Sequence, residues 1–404
     1  MILITGYFCS QAYIYPFKKI RYFYIMKLQN YILILLFLYP VFSGAQTDNN
    51  SKKLSFTGDF RFRAEQDWNS QKSDGSYRDD RSRFRYRARF GMKYQYNDWA
   101  SFGFRIRTGY REKQQDPHLT LGDGFGEFST LPVGFEKLFF KVNYKWLEAW
   151  AGKNTFPFEK QDELFWSDNV YPEGLYAAAN FKFNSGVIES LKLSAAHFVV
   201  RSSGNSFKKD EYLRVFQALS THWDNRLKIY PAFYYFNEMP DIPDGNANFN
   251  LNYAILQLGT KIVVLQKPYI TFGLDYYQNF EDYQDQDLIS EKFQDQKTGY
   301  VSSVGWGKFS DKGDWMIKLF YTHLEKYAAV DFLAQNDWVR WDYSSQGSPD
   351  GRLTNFKGTE LRAGYKVGKK FTLILRYFMV DQIVPYGDFS ETGNRIRLDL
   401  NIGF

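Results

Sequence analysis

From Leu54 to the C-terminus, hydrophobic and polar residues alternate with a period of two. In 54–65 one set is Leu54, Phe56, Gly58, Phe60, Phe62 and Ala64, and the other is Ser55, Thr57, Asp59, Arg61, Arg63 and Glu65. Over 81–94 the pattern sharpens: Arg81, Arg83, Arg85, Arg87 and Arg89 alternate with Phe84, Tyr86, Ala88, Phe90 and Met92. In a strand such sets point to opposite faces. Similar segments predict sixteen strands, at 54–66, 82–96, 99–110, 135–146, 147–154, 174–184, 187–200, 211–221, 227–237, 251–263, 268–280, 298–309, 313–326, 355–367, 370–381 and 393–404. Alternation is weakest in 211–221 and 298–309.

The connections sort by length. Short ones follow the even-numbered strands, at 97–98, 145–147, 184–186, 224–226, 266–268, 310–313 and 368–370. Long polar ones follow odd-numbered strands and include 66–80, 111–134, 155–173, 238–250, 281–297 and 327–355. This sorting puts the long loops on one side and both termini on the other. The predicted fold is all-β: a transmembrane antiparallel up-and-down β-barrel of about 16 strands, with short periplasmic turns and long extracellular loops. A soluble sandwich or propeller has no reason to sort its loops. The last strand, 395–404, alternates to its end and stops on Phe404, the expected signal for the barrel-assembly machinery.

Composition agrees with a wall that shows one face to lipid and the other to water. The chain has 404 residues, 20% of them aromatic and 24% charged, and a mean hydropathy of −0.47. That hydropathy excludes a bundle of membrane helices, and the aromatic content argues against disorder. The one long apolar run, 31–42, follows Met26-Lys27 and ends at Ser43-Gly44-Ala45. About 12 apolar residues are too few to span a bilayer as a helix, and the flanks are those of a cleaved signal peptide. Residues 1–45 are therefore read as an N-terminal extension plus signal peptide with Met26 the true start, 46–53 as a periplasmic lead, and 54–404 as the barrel in the outer membrane. Cleavage would remove Cys9, the single cysteine, so no disulfide or thiolate chemistry is expected.

Sixteen strands leave a water-filled lumen. Closure would make the last strand the neighbour of the first, so the last strand and strands one to three form one wall. Its inward face carries Arg395, Arg397, Arg61, Arg63, Arg81, Arg83, Arg85, Arg87, Arg89, Arg105 and Arg107, against Asp399, Asp59 and Glu65. Arginine stays charged and offers a planar donor fork to carboxylate or phosphate, and a lined pore focuses such a field. The plainer alternative is that these arginines solvate the lumen and pair with acids. The third long loop supplies constriction candidates, Glu159, Asp162, Glu163, Asp168 and Glu173, and is aromatic enough (Phe156, Phe158, Phe165, Trp166, Tyr171) to pack inside the barrel or on its rim.

The same loop carries a resemblance. Gly152-Lys153-Asn154-Thr155-Phe156-Pro157-Phe158, followed by Leu164-Phe165-Trp166-Ser167-Asp168-Asn169-Val170-Tyr171-Pro172-Glu173-Gly174-Leu175, resembles the signature of a family of putative porins of Gram-negative bacteria. Ser167 stands where that pattern has Asp, and Val170-Tyr171 replaces a more polar pair. The resemblance implies an outer-membrane channel and gives no substrate; the lumen is read as a diffusion path for small hydrophilic solutes, biased toward anions. Alginate-export barrels, which would suit an anionic polysaccharide, are the neighbouring alternative, and a barrel enzyme or receptor is a more distant one.

Candidate chemistry is sparse. The mature chain has four histidines, none at metal-site spacing, and no G-x-S-x-G motif, so no catalytic residues, metal or cofactor are expected. The acidic loop 281–295 could hold calcium but lacks the glycine and spacing of a defined calcium loop. Expected partners are outer-membrane lipid, small and preferentially anionic solutes, the assembly machinery and a homotrimer by analogy. An exported chain has no nucleic-acid partner.

Overall fold

In the computed structural model, strand structure begins at Leu54, where the alternation does. The structure describes residues 53–404 except 111–113, 123–129, 185, 205, 207–208, 242–248, 285, 336 and 339–352. The expected leader and most of the N-terminal lead lie outside the described residues.

Sixteen antiparallel strands form one closed sheet: β1 (Leu54–Trp68), β2 (Arg81–Gln95), β3 (Ala100–Thr108), β4 (Val133–Tyr144), β5 (Leu147–Lys153), β6 (Glu173–Lys182), β7 (Ser190–Arg201), β8 (Glu211–His222), β9 (Leu227–Ile229 and Ala232–Pro240), β10 (Asn250–Gln266), β11 (Tyr269–Asn279), β12 (Thr298–Gly307), β13 (Trp315–Leu324), β14 (Phe356–Gly368), β15 (Phe371–Gln382) and β16 (Thr392–Gly403). Two are interrupted. After β3 the chain leaves the wall and returns as Leu119–Thr120, which pairs with Arg85 and Tyr86. In β9 the break falls at Tyr230–Pro231, where proline lacks the amide a ladder needs. The barrel closes by pairing β1 with β16, from Asp59 opposite Gly403 to Trp68 opposite Asn394.

The length sorting holds. Connections 96–99, 145–146, 183–189, 223–226, 267–268, 308–314 and 369–370 lie at one end. The other end carries 69–80, 109–132, 154–172, 202–210, 241–249, 280–297, 325–355 and 383–391. Outward-facing aromatic residues form belts near both ends, with Tyr212, Tyr276, Tyr300 and Tyr321 at the long-loop end and Tyr94, Trp306, Trp315 and Tyr365 at the other. Between them the outward face is mostly apolar. That is how a barrel meets a bilayer and its two interfaces.

The barrel interior is divided. The inward faces of β14–β16 and β1–β3 carry arginines and carboxylates, whereas β5–β11 turn aromatic and aliphatic side chains inward: Trp150, Tyr176, Phe198, Val215, Tyr234 and Tyr277 are all buried. This explains the faint alternation of β8. Leu213 and Val215 point in while Phe216 points out, so both faces are apolar and the binary pattern disappears.

Candidate functional site

The arginine wall forms because four neighbouring strands place their alternate residues in register. Arg61 lies opposite Arg87, Arg63 opposite Arg85, Glu65 opposite Arg83, and Arg89 opposite Arg107. On the seam, Arg63 lies opposite Asp399 and Glu65 opposite Arg397. Cross-strand neighbours on one face are close enough to pair or repel, and the carboxylates are distributed accordingly. Asp399 accepts from Arg63 at 2.6 Å, Asp59 from Arg87 at 2.7 Å, and Asp67 from Arg81 at 2.7 Å and Arg395 at 2.5 Å. Glu65 pairs with Arg83, and Asp116 of the inturned segment 114–118 pairs with Arg85. Glu136, on β4, holds Arg105 and lies within 3.8 Å of Arg89 and Arg107. Asp67 and Glu136 were absent from the expected acids. Even with Asp67, the four strands hold eleven inward arginines against four carboxylates.

The wall extends further than its sequence pattern indicated. Arg362 on β14 and Arg376 on β15 also face inward, and both donate to Glu360, each at 2.6 Å from Nε. Neither belongs to an arginine ladder. The sequence trace of Arg376 is a lone charge in an apolar run, Leu373-Ile374-Leu375-Arg376-Tyr377, and that of Arg362 is its spacing of two from Glu360.

The third long loop, 154–172, folds into the lumen. Its aromatic residues seat on the apolar half: Phe165 stacks on Tyr277 at 4.5 Å and Phe156 on Trp166 at 4.2 Å, and Phe158 packs edge-on against Tyr176. Gln161 is the latch. Its backbone amide donates to Asp275 at 2.7 Å, and its side chain donates to Tyr230 Oη at 2.9 Å and to the Thr260 carbonyl at 2.7 Å. The side-chain carboxamide of Gln161 occupies the space where a Cβ on Gly273 would lie, so any larger residue there would have to displace it.

The loop's acids do not form the expected row across from the ladder of β1–β3. Asp162 pairs with Arg362 at 3.0 Å and Glu163 with Arg376 at 2.6 Å, both on the extension of the wall. Glu159 turns the other way, to Lys261 at 2.8 Å. Asp168 pairs within the loop with Lys160 at 2.5 Å. Glu173 is not in the loop at all; it opens β6 and pairs with Lys153 at 2.5 Å. The reason is seating: once the aromatic side packs on β9 and β11, Asp162 and Glu163 are the loop acids that pair with arginines of the basic half, while Tyr171 and Asn169 accept from Arg105 and Arg89. Three carboxylates, Asp162, Glu163 and Glu360, then share two guanidinium groups. Burial and the adjacent Glu163 push Asp162 up to about 7, despite Arg362.

Two further segments turn inward. In 325–338, Ala328, Ala329, Val330, Leu333 and Ala334 are buried, and Leu333 accepts from the Ser167 amide at 2.8 Å. Asp337 at its end contacts Arg397 and lies 3.5 Å from Arg376 and 3.8 Å from Arg63. Burial opposes ionisation of Asp337, yet the three arginines hold its carboxyl well below the usual range. An apolar stretch inside a long loop, Tyr327-Ala328-Ala329-Val330, was the available clue. In 114–118, His118 is buried beside the wall. Burial and Arg63, Arg61, Arg87 and Arg85 keep its imidazole neutral far below the ordinary pKa.

What remains open is a cavity of about 460 Å³, bounded by Arg61, Arg83, Arg87 and Arg89 on one side and by Glu163, Asp168 and Asp337 on the other. Among the described residues, no group of three His, Cys, Asp or Glu side chains is placed to hold a metal ion.

A closed sixteen-stranded barrel with a charged lumen and inturned loops is the architecture of the outer-membrane porin class. Residues 74–255 match the family model described as a putative porin. The fold is similar to that of Pseudomonas putida OprB (TM-score 0.53, 15% identity, 87% of this chain and 94% of that one). It is also similar to Salmonella typhi OmpF (TM-score 0.51, 12% identity, 89% of this chain and 99% of that one). No curated protein matches the chain by sequence. Family match and fold both point to a channel rather than an enzyme.

Proposed function

We propose that the protein is a passive diffusion channel for small hydrophilic solutes with a preference for anions. The observation that carries this reading is the segregation of charge: the open cavity is bordered by a wall with more arginines than carboxylates, while the inturned loop fills the apolar half. Many of these arginines are paired, so the plainer alternative of internal neutralisation describes part of the wall. The surplus supplies the field, which is least screened at low ionic strength. A cavity of about 460 Å³ among packed loops suits small ions better than a polysaccharide chain.

Planar-bilayer recording tests the reading. Reversal potentials in a salt gradient should show anion preference that strengthens as salt is lowered. Changing Arg85 and Arg87 together to Glu should move selectivity toward cations. Neutralising Glu163 and Asp168 should move it the other way. An unchanged reversal potential in both variants would show that these groups do not border the conducting path.

A further inference from the structure

Around most of the barrel the lipid-facing wall carries large apolar side chains at mid-height, such as Phe60, Phe90, Leu319, Leu375 and Leu398, all exposed. Between β4 and β8 the wall falls back. Two successive outward rows run across these strands in register, Val142–Ala149–Ala177–Ala195–Phe216 and Phe140–Ala151–Leu175–His197–Arg214. The short side chains leave an open groove of about 480 Å³ walled by Phe140 and Phe216. Its end toward the long loops is basic.

Arg214 is exposed on this outer face, three residues inside the long-loop end of β8. Its guanidinium lies over the Tyr212 ring, 4.5 Å from the centroid, and the His197 ring is 5.2 Å from the same centroid. The nearby carboxylates are engaged elsewhere: Asp210 accepts from Ser203 at 2.8 Å, and Glu211 pairs with Arg201. Among the described residues no carboxylate forms an ion pair with Arg214. A guanidinium on a lipid-facing wall costs free energy unless an anion compensates it. Tyr212 puts it at the depth of the aromatic belt, where lipid headgroups lie.

We propose that this groove binds a lipid of the extracellular leaflet whose headgroup is net anionic and carries phosphomonoesters. The phosphate meets Arg214 and His197, and an acyl chain lies along the alanine floor. Phosphate supplies the counter-charge that exposed Arg214 lacks, and a planar guanidinium suits its oxygens. The groove runs from headgroup depth toward the middle of the bilayer, as an acyl chain does.

The intact barrel in detergent is titrated with diphosphorylated lipid A, with the same lipid dephosphorylated, and with phosphatidylethanolamine, and bound lipid is counted by native mass spectrometry. The wild type should retain the diphosphorylated lipid at least tenfold more strongly than either of the others. Arg214→Gln combined with His197→Gln should abolish that difference. Ala177→Leu with Ala195→Leu, which fills the groove, should weaken all three lipids. Heat-modifiable mobility confirms that each variant is folded, and conductance of the same preparation tests the channel reading separately. Equal retention of phosphorylated and dephosphorylated lipid A would overturn the proposal. So would a double glutamine variant that binds like the wild type, or a groove-filled variant that dissociates an oligomer while its lipid retention is unchanged.

Discussion

Single positions in this barrel are decided by what lies against them across the lumen or the seam. Gly273 is one. A side chain there would displace the Gln161 carboxamide that engages Tyr230 and Thr260, leaving the backbone bond to Asp275 to hold the loop alone. Gly273→Val should therefore expose Lys160 to trypsin without unfolding the barrel, because the strand itself tolerates a β-branched residue. Protection of Lys160 equal to that of the wild type would contradict the latch. His118 is another. Its folded pKa lies below its unfolded one, so between those values the unfolded chain binds the extra proton and stability falls with pH. The contribution is present above about pH 6.5, the ordinary histidine value, and is lost as pH falls toward the folded value. Melting temperatures taken from pH 7.5 down to 5 should fall less steeply for His118→Asn than for the wild type.

At the scale of elements, each strand is specified by its two faces. Lysine at an outward mid-strand site such as Ala88 or Leu398 should cost about 2–4 kcal/mol near the bilayer midplane. Lysine at inward Thr57 or Asn401 should cost little, since those positions face the aqueous mouth beside Gly91 and Arg61. Folding titrations in lipid vesicles compare the two sets, and equal costs would mean the faces are misassigned. The seam is also an element-scale feature. Phe404 continues the pairing of β16 with β1, exchanging backbone hydrogen bonds with Gly58 at 2.9 and 3.1 Å, and its ring covers the space above that glycine. Deleting Phe404 removes both contacts from the strand that closes the barrel. Export should be unchanged while the heat-modifiable outer-membrane form drops sharply; normal levels of that form would remove any role for Phe404 in assembly.

At the scale of the molecule, the lumen is a packed half and a charged half, and the legibility of the two differed. All sixteen strands and the arginines of β1–β3 and β16 were readable, because a half-exposed wall repeats its chemistry every second residue, as Arg81 to Arg89 do. Closure next to β1 then followed from the strand count alone. The aromatic half was not readable. Tyr234 and Tyr277 face inward to receive the third loop, which removes the polar signal that marks a water-filled interior. Nor could the partners of the loop acids be read. Which arginine Asp162 or Glu163 meets depends on where Gln161 docks, a contact between residues 114 positions apart. Local alternation is a property of neighbours in the chain, and so the amino-acid order alone determined the number of strands, their faces and the sign of one wall. The space left open inside the barrel depends on loops returning across it to strands distant in sequence, and only the folded structure decided that.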